Sequence, residues 1–461
     1  MNHPSAEHAR DLLIEALGRR GFLRAASAVT VAGGAAGLAA AGGGTAHAHA
    51  PAHRGRGEHH PRETLQPRRG RIDGDHYLPS LPEQVRWGYV PAPGAEPVLR
   101  VRSGDTVTVD SVSHEGLLED QGRDPAAWFG AHGVRRRDVL DDAVAIARDY
   151  RRTERDFDAD GPHVITGPIA VRGAEPGDVL KVEPLSLLPR VPYGVISSRH
   201  GKGALARQAD GSAPAGVDLS EVMPPVGSDG RPSGEPGAYG NVSVFTPVRR
   251  GRGREAHGVL PLGRRREVAF PLAPHMGTMG VAFAEGRSLN DPALNSIPPT
   301  LGGGNIDIRL LGRGSALYLP VFAEGALFYA GDPHFAMGDG EVALTALEGS
   351  LRTTFRLTVC KPGSGDAPSV AFRYPFGETD EAWLPVGLSD PDGGRNGQGG
   401  DLDVAMRRAV VNALDFLEHD QGMDRAVAYA YLSAAADFHV SQVVDRTVGV
   451  HGVIAKEHFR G

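Results

Sequence analysis

Cysteine is almost absent from the chain: Cys360 is the only one among 461 residues. A single thiol excludes an intramolecular disulfide framework and any multi-cysteine zinc or iron–sulfur site. Basic charge is short as well. Acidic residues outnumber basic ones, 56 to 49, and the net charge is −7, which excludes a general nucleic-acid binder relying on a basic stripe. Three catalytic signatures are missing. No serine stands in a G-x-S-x-G context, so there is no nucleophile elbow. There is no G-x-x-x-x-G-K-[ST] phosphate loop. His114-Glu115 is followed at the fourth place by Leu118 instead of His, so the helical zinc-protease motif fails. Cys360 closes the alternating run Arg356–Cys360, where a buried structural thiol is favoured over a nucleophile.

Glycine and proline are abundant. The chain has 63 and 35 of them, well above the typical ~7% and ~5%, which favours tight turns over long helices. With 40% hydrophobic residues the chain is globular, not disordered. Val98–Arg102, the turn Ser103-Gly104-Asp105 and Thr106–Asp110 read as strand, glycine turn and strand. The pattern returns at Ile169–Arg172 with Val179–Val182, and more loosely at Leu310-Leu311 with Ala316–Val321. These units predict a mainly β protein: a β-sandwich or barrel body over about 73–375. A short helix is expected over Asp138–Arg155, and 207–238 reads as a long surface loop. After the Gly/Asp-rich loop Asp390–Gly400, apolar residues at helical spacing predict two helices packed on the β body, Asp401–His419 and Asp424–Phe438, within a helical part at about 401–438.

Residues 1–48 read as an export signal. Arg19-Arg20 precede Phe22-Leu23, an uncharged Ala/Gly-rich run spans Ala25–Gly44, and Thr45–Ala50 offers small-x-small cleavage sites, with cutting after Ala48 favoured. The arginine pair points to the twin-arginine (Tat) route, which carries folded proteins, and so to a periplasmic or extracellular location. Residues 49–72 are His-, Arg- and Pro-rich without apolar period and read as a disordered linker. Residues 73–461 form the remaining domain.

Three clusters could carry chemistry. Gly331–Glu341 holds Asp332, His334, Asp339 and Glu341 among glycines, which permit the reversals that let polar side chains converge. Gly302–Asp307 places Asn305 and Asp307 on one side of an extended backbone. Pro274–Val281 contains His275, for which a satisfied core histidine in a glycine-rich turn is the plainer reading. Asp156–Gly161 resembles the opening of a calcium loop, but Gly167 stands where the loop's closing glutamate belongs; a solvated acidic turn or a weak structural calcium site are the alternatives.

Taken together, these blocks resemble the acetamidase/formamidase family. Val85-Arg86-Trp87-Gly88, His163–Pro168, Gly173–Leu180, Gly303–Asp307, Leu319-Pro320-Val321, Gly331–Glu341 and Gln442–Asp445 look like its characteristic blocks, in order, over about 73–459. Arg86 stands where many members have His, Gly302 where some have His, and the segment from Ser113 to Gly133 replaces the usual Glu-Thr pattern. The resemblance implies a largely β enzyme cleaving the C–N bond of small linear amides to carboxylate and ammonia. With no activated Ser or Cys in view, direct attack by water is the compatible mechanism. A divalent metal, zinc by ligand chemistry, would be held by His334, Asp307 and one of His76 or His163. Glu341 would move the proton, Asn305 would stabilise the oxyanion, and Asp339 is the third candidate catalytic residue. The expected partners are a small amide and the Tat machinery, with a homo-oligomer as an open arrangement. Two rivals stand beside this reading: a hydrolase of a larger amide or cyclic imide on the same scaffold, and a non-catalytic exported protein that binds a metal or a sugar.

Overall fold

Among the described residues, period-two stretches become twenty strands, and these form two sheets. The computed structural model describes residues 63–199, 202–208, 210–225, 241–251, 255–263, 266–391 and 400–459. The segment read as an export signal, the expected linker up to residue 62, residue 209 and the second half of the 207–238 loop, and most of the Asp390–Gly400 loop lie outside the described residues. Nine strands form one sheet, with the long antiparallel pair Val179–Pro189 and Leu351–Cys360 inside it. Eleven form the other, around Phe328–Ala336. The inner faces meet in one core. Val107, Leu317 and Phe355 come from the first sheet, and Val164, Met279 and Phe328 from the second. The rings of Phe328 and Phe355 touch edge to face across the layers, centroids 5.4 Å apart. This is the sandwich arrangement, with no closed barrel.

The strand–glycine–strand units differ from the hairpins that their sequence suggests. Leu99–Arg102 pairs in parallel with Val164–Arg172 in the larger sheet, whereas Thr106–Ser111 lies between His76–Leu78 and Leu351–Cys360 in the smaller one. The next unit does the same, with Val164–Arg172 in one sheet and Val179–Pro189 in the other. These turns are corners between layers. Gly104 at φ 90° allows the reversal, and Asp105 accepts the Arg102 N–H at 2.9 Å. In the third unit only Ala316–Pro320 is a strand.

Four α-helices are present among the described residues. Pro125–Ala131 (α1) starts on Asp124, whose carboxylate accepts the Ala127 N–H, with proline at the first helical position. Asp141–Asp149 (α2) is the core of the helix expected over 138–155. Leu402–His419 (α3) and Arg425–Ala435 (α4) are the longest, capped by Asp401 and Asp424. The second C-terminal helix is shorter than its expected range: from Asp437 the chain turns extended, and Asp437–Gln442 and Gly449–Ala455 complete the nine-stranded sheet. No helix among the described residues is long and apolar enough to cross a membrane.

Residues 63–72, expected as linker, lie against the body. The buried Arg352 guanidinium, paired with Asp110 at 2.6 and 2.9 Å, donates to the carbonyls of Gln66 and Arg69, and Arg190 donates to Leu65 O at 3.0 Å. Backbone carbonyls drawn onto two buried guanidinium groups hold this stretch in place.

Candidate active site

Neighbouring strands of the larger sheet deliver most of the polar cluster. Phe328–Ala336 carries Asp332 and His334, spaced by two and therefore on one face. His275–Gly280 runs antiparallel to it, with His275 opposite His334. Beyond that, Gly303–Asn305 sets Asn305 opposite Thr278, while on the other flank Glu348 stands opposite His334. His163 directly precedes the strand Val164–Arg172. The C-terminal segment closes the cluster. Gly340 N–H donates to Ser441 O, and Val443 N–H to Gly340 O, both at 3.0 Å, which brings the Asp445 turn to the Glu341 loop. Gly277 is needed for close approach: a Cβ there would fall 2.5 Å from His334 Cε1 and 2.6 Å from the carboxylates of Asp307 and Asp332. Four of the acidic residues have left-handed backbones, Asp307 at φ 48°, Asp332 at 52°, Glu341 at 44° and Asp445 at 68°. Such conformations cost on the order of 1–3 kcal/mol each and persist where the surroundings over-determine them, as at functional sites.

The histidines fall into two states. His163 Nδ1 lies 3.0 Å from Ser296 Oγ and 3.2 Å from Ser296 O, leaving Nε2 toward Asp332 Oδ1 at 3.7 Å. Burial lowers its pKa to about 4, against the pull of Asp332, so the imidazole is neutral. His275 is likewise drawn down to about 3 by burial, with the His334 charge adding. Its Nδ1–H donates to Ala273 O at 3.0 Å, so its Nε2 accepts from His334 Nδ1 at 3.2 Å. His334 Nε2 faces Asp332 at 3.0 Å, Glu348 at 3.2 Å and Glu341 at 3.9 Å. Burial alone would lower His334, but Glu348 and Asp332 raise it well above the usual value. His114 Nδ1 is 3.6 Å from Asp332 Oδ1. There too burial opposes, and Asp332 and Glu115 prevail, raising it to about 10.

The carboxylates carry the opposite strain. Burial, with mutual repulsion, lifts Asp307 and Glu341 well above the ordinary range, Glu348 to about 7 and Asp445 to about 8. Among the described residues, three groups have ligand atoms within 4.8 Å of one another: His114–His163–Asp332, Asp307–His334–Glu341 and Asp332–His334–Glu348. They border a cavity of about 490 Å³, lined among others by His114, His163, Asn305, Asp332, Glu341 and Asp445. Only the first group lines it with all three members; His334 and Asp307 stand behind the wall. Both nitrogens of His114 and Oδ1 of Asp332 are buried without a hydrogen-bond partner. Two imidazoles and a carboxylate, one imidazole anchored through its far nitrogen, form a donor set that suits a divalent cation such as zinc.

The profile of the acetamidase/formamidase family matches residues 133–455. The chain belongs to that family. It is 30% identical over 295 residues to the acetamidase of Mycolicibacterium smegmatis, covering 57% of this chain and 71% of the relative. It is 26% identical over 309 residues to the formamidase of Methylophilus methylotrophus, covering 63% and 75%. The crystal structure of the acetamidase from Yersinia enterocolitica superposes with a TM-score of 0.59 at 25% identity, over 84% of this chain and 93% of that one.

In this member of the acetamidase/formamidase family, His163, Asp307, His334, Glu341 and Asn305 fall in one polar cluster, but His334 and Asp307, considered as metal ligands, do not line the cavity. Thr278 Oγ1 donates to Asn305 Oδ1 at 2.8 Å, so the amide –NH2 is the end left to donate. Two expected residues lie elsewhere. His76, considered as a metal ligand, has its ring 3.0 Å from Asp105 on a partly exposed corner. Asp339, considered catalytic, faces Arg309 at 2.9 Å and His439 at 3.2 Å and is absent from the cavity lining. In the calcium-like loop, Asp160 is met by Arg155, the Tyr89 hydroxyl and the Asp156 N–H, the marks of a hydrogen-bonded turn. Sequence reasoning missed Glu348, met His114 only in a failed zinc-protease motif, and named Asp332 and Asp445 within blocks without giving them a role. The two-residue step from Asp332 to His334 was a usable signal; Glu348 and Asp445 carried none that spacing could show.

Proposed function

We propose that this family member hydrolyses the C–N bond of linear amides with water as nucleophile, in a site built on His114, His163 and Asp332. The observation that carries the reading is that these three alone, among the metal-capable groups, all face the cavity. Among the described residues, no serine or cysteine lines it. A divalent cation held by this trio would supply Lewis-acid polarisation and acidify water toward a pKa of about 7. Asn305 donates its –NH2 to the amide oxygen as negative charge develops there. Glu341 takes the proton of the attacking water and returns it to the leaving nitrogen, so that the C–N bond breaks to carboxylate and ammonia. Burial first, and then the neighbouring carboxylates, raise its pKa in the cation-free site; a bound cation would oppose that shift. His334, hydrogen-bonded to His275 behind the wall, holds Asp332 and Glu348 in place.

The Tat-type signal in residues 1–48 favours export of the folded enzyme, so that the reaction runs outside the cytoplasm. The test is ammonia release from formamide and acetamide. Chelation should abolish it and zinc should restore it. Glu341→Gln should keep the fold and the metal content but lose about 10²–10⁴ in turnover. Near-wild-type turnover by that variant, or full activity after metal removal, would overturn the mechanism.

A further inference from the structure

The cavity is larger than a simple amide needs and is electrically polarised. Acetamide has four non-hydrogen atoms; at roughly the 30 Å³ share of a water molecule apiece, it fills about a quarter of the 490 Å³. The inner end is acidic, with Asp332, Glu341, Glu348 and Asp445. The remaining wall includes five cations, Arg155, Arg199, Lys202, Arg207 and Arg446. Two of these are neutralised: Arg155 by Glu119 and Asp160, each at 3.4 Å, and Arg199 by Glu115 at 3.1 Å and Asp120 at 2.7 Å. The other three have no carboxylate within 4 Å among the described residues. The Lys202 ammonium stands 5.9 Å over the Phe157 ring. Lys202 is an exposed residue, yet crowding by the surrounding protein, with repulsion from Arg199 and Arg446, lowers its pKa to about 8. Lys202 and Arg446 are close enough to repel, Arg207 shares their wall, and Asp120 and Asp158 act on Lys202 only from beyond ion-pair distance; cations left without a paired carboxylate create a demand for an anion. The lining also has apolar side chains, Leu118, Ile297, Leu344 and Val444.

We infer that the preferred substrate is an amide that also bears a carboxylate on an aliphatic spacer, with the carboxylate bound by Lys202, Arg207 and Arg446 and the amide turned toward His114, His163 and Asp332. The inference deepens the amide-hydrolase reading and rests on it. The polarity allows one orientation only: the inner carboxylates repel the anionic end, and the cations outside attract it. Arginine grips a carboxylate through its forked N–H groups, and lysine as a point charge.

The test compares kcat/KM for malonamate, succinamate and glutaramate with that for the neutral amides propionamide, butyramide and valeramide. At one spacer length the anionic amide should be preferred by about tenfold or more, and the preference should shrink at high salt. The anionic-to-neutral ratio should fall about tenfold in Lys202→Met and further in Lys202→Met/Arg446→Met, and should survive in Lys202→Arg. Because both rates come from one sample, loss of folded protein does not move the ratio. Neutral amides cleaved with no anionic preference at any length, or a ratio unmoved in the double variant, would overturn the inference and leave amide hydrolysis standing. Calorimetric binding of succinate and glutarate at low salt gives an independent readout. If no amide is cleaved but dicarboxylate binds and is lost in the double variant, the anion site stands and the amide reading fails. If neither occurs, both fail.

Discussion

Asp332 shows how much one residue can organise. Its two oxygens face different partners, His114 and His163 through Oδ1 and His334 through Oδ2. Burial alone would raise its pKa, but those imidazoles hold it well below the ordinary value. Its neighbours behave oppositely, and this gives the stability of the cation-free protein a defined pH dependence. Glu348 and Asp445 are raised to about 7 and about 8, from 4.5 and 3.8, chiefly by burial. A carboxyl raised in the fold contributes stability below its unfolded pKa, and that contribution is lost as pH rises through the folded value. His114, raised from 6.5 to about 10, also loses its contribution as pH climbs above 6.5. His163 and His275, lowered to about 4 and about 3, act in the opposite sense, but only below 6.5. Chelator-treated protein should therefore lose thermal stability between pH 6.5 and 8. Zinc should raise Tm more at pH 8 than at pH 6, because it neutralises the carboxylates that ionise there. Scanning calorimetry at both pH values, with and without the metal, reads this directly; a Tm that rises or stays flat across that window would contradict it.

At the scale of elements, α3 depends on a glycine. A Cβ on Gly387 would fall 2.2 Å from Ala405 O and 2.3 Å from Ala409 N, so the strand Ala382–Leu388 meets the helix backbone to backbone. Asn412 Nδ2 adds a hydrogen bond to Val386 O at 2.7 Å. Gly387→Ala must push the helix off the sheet and should cost at least about 1–3 kcal/mol in urea unfolding, whereas Val411→Ala on the exposed face should cost little. An unchanged Gly387→Ala midpoint would mean that the helix docks elsewhere. The helix itself was legible, because Asp401 and Asp424 cap it and its successor and the apolar spacing is helical. Strand identities were legible from alternation; strand partners were not. A period of two tells which side chains share a face but not which strand lies alongside, so the Gly104 and Gly173 turns looked like hairpins when they are corners. The same limit governs the site. Asp307, His334 and Glu341 sit in dense glycine-rich polar blocks and could be picked out. His114 is placed by a contact distant in sequence, its neighbour Ser113 donating its N–H to Ser350 Oγ at 3.0 Å, and nothing local marks it.

For the molecule as a whole, the way the site is assembled bears on the proposed export. Its residues run from His114 to Asp445, and they meet only when both sheets and the returning C-terminal segment are in place. An unfolded chain would present these imidazoles and carboxylates singly, with no cavity and no defined donor set. A route that threads unfolded polypeptide would leave cation loading to the far side of the membrane, whereas a route for folded cargo allows loading before export. Arg19-Arg20, followed by the uncharged run Ala25–Gly44 and the small residues Thr45–Ala50, resembles the signal of the folded-cargo route, the route proposed here. Expressed at full length in a bacterium with an intact Tat system, the protein should deliver amide-hydrolysing activity outside the cytoplasm. Arg19→Lys/Arg20→Lys should strand that activity inside, and so should a host lacking the Tat translocase, with total activity in the lysate retained. Lysine keeps the charge of the region, so the outcome isolates recognition of the arginine pair from simple positive charge. Export of the double variant at the wild-type level would show that residues 1–48 act by another route, and cation loading ahead of export would then have no support from the signal.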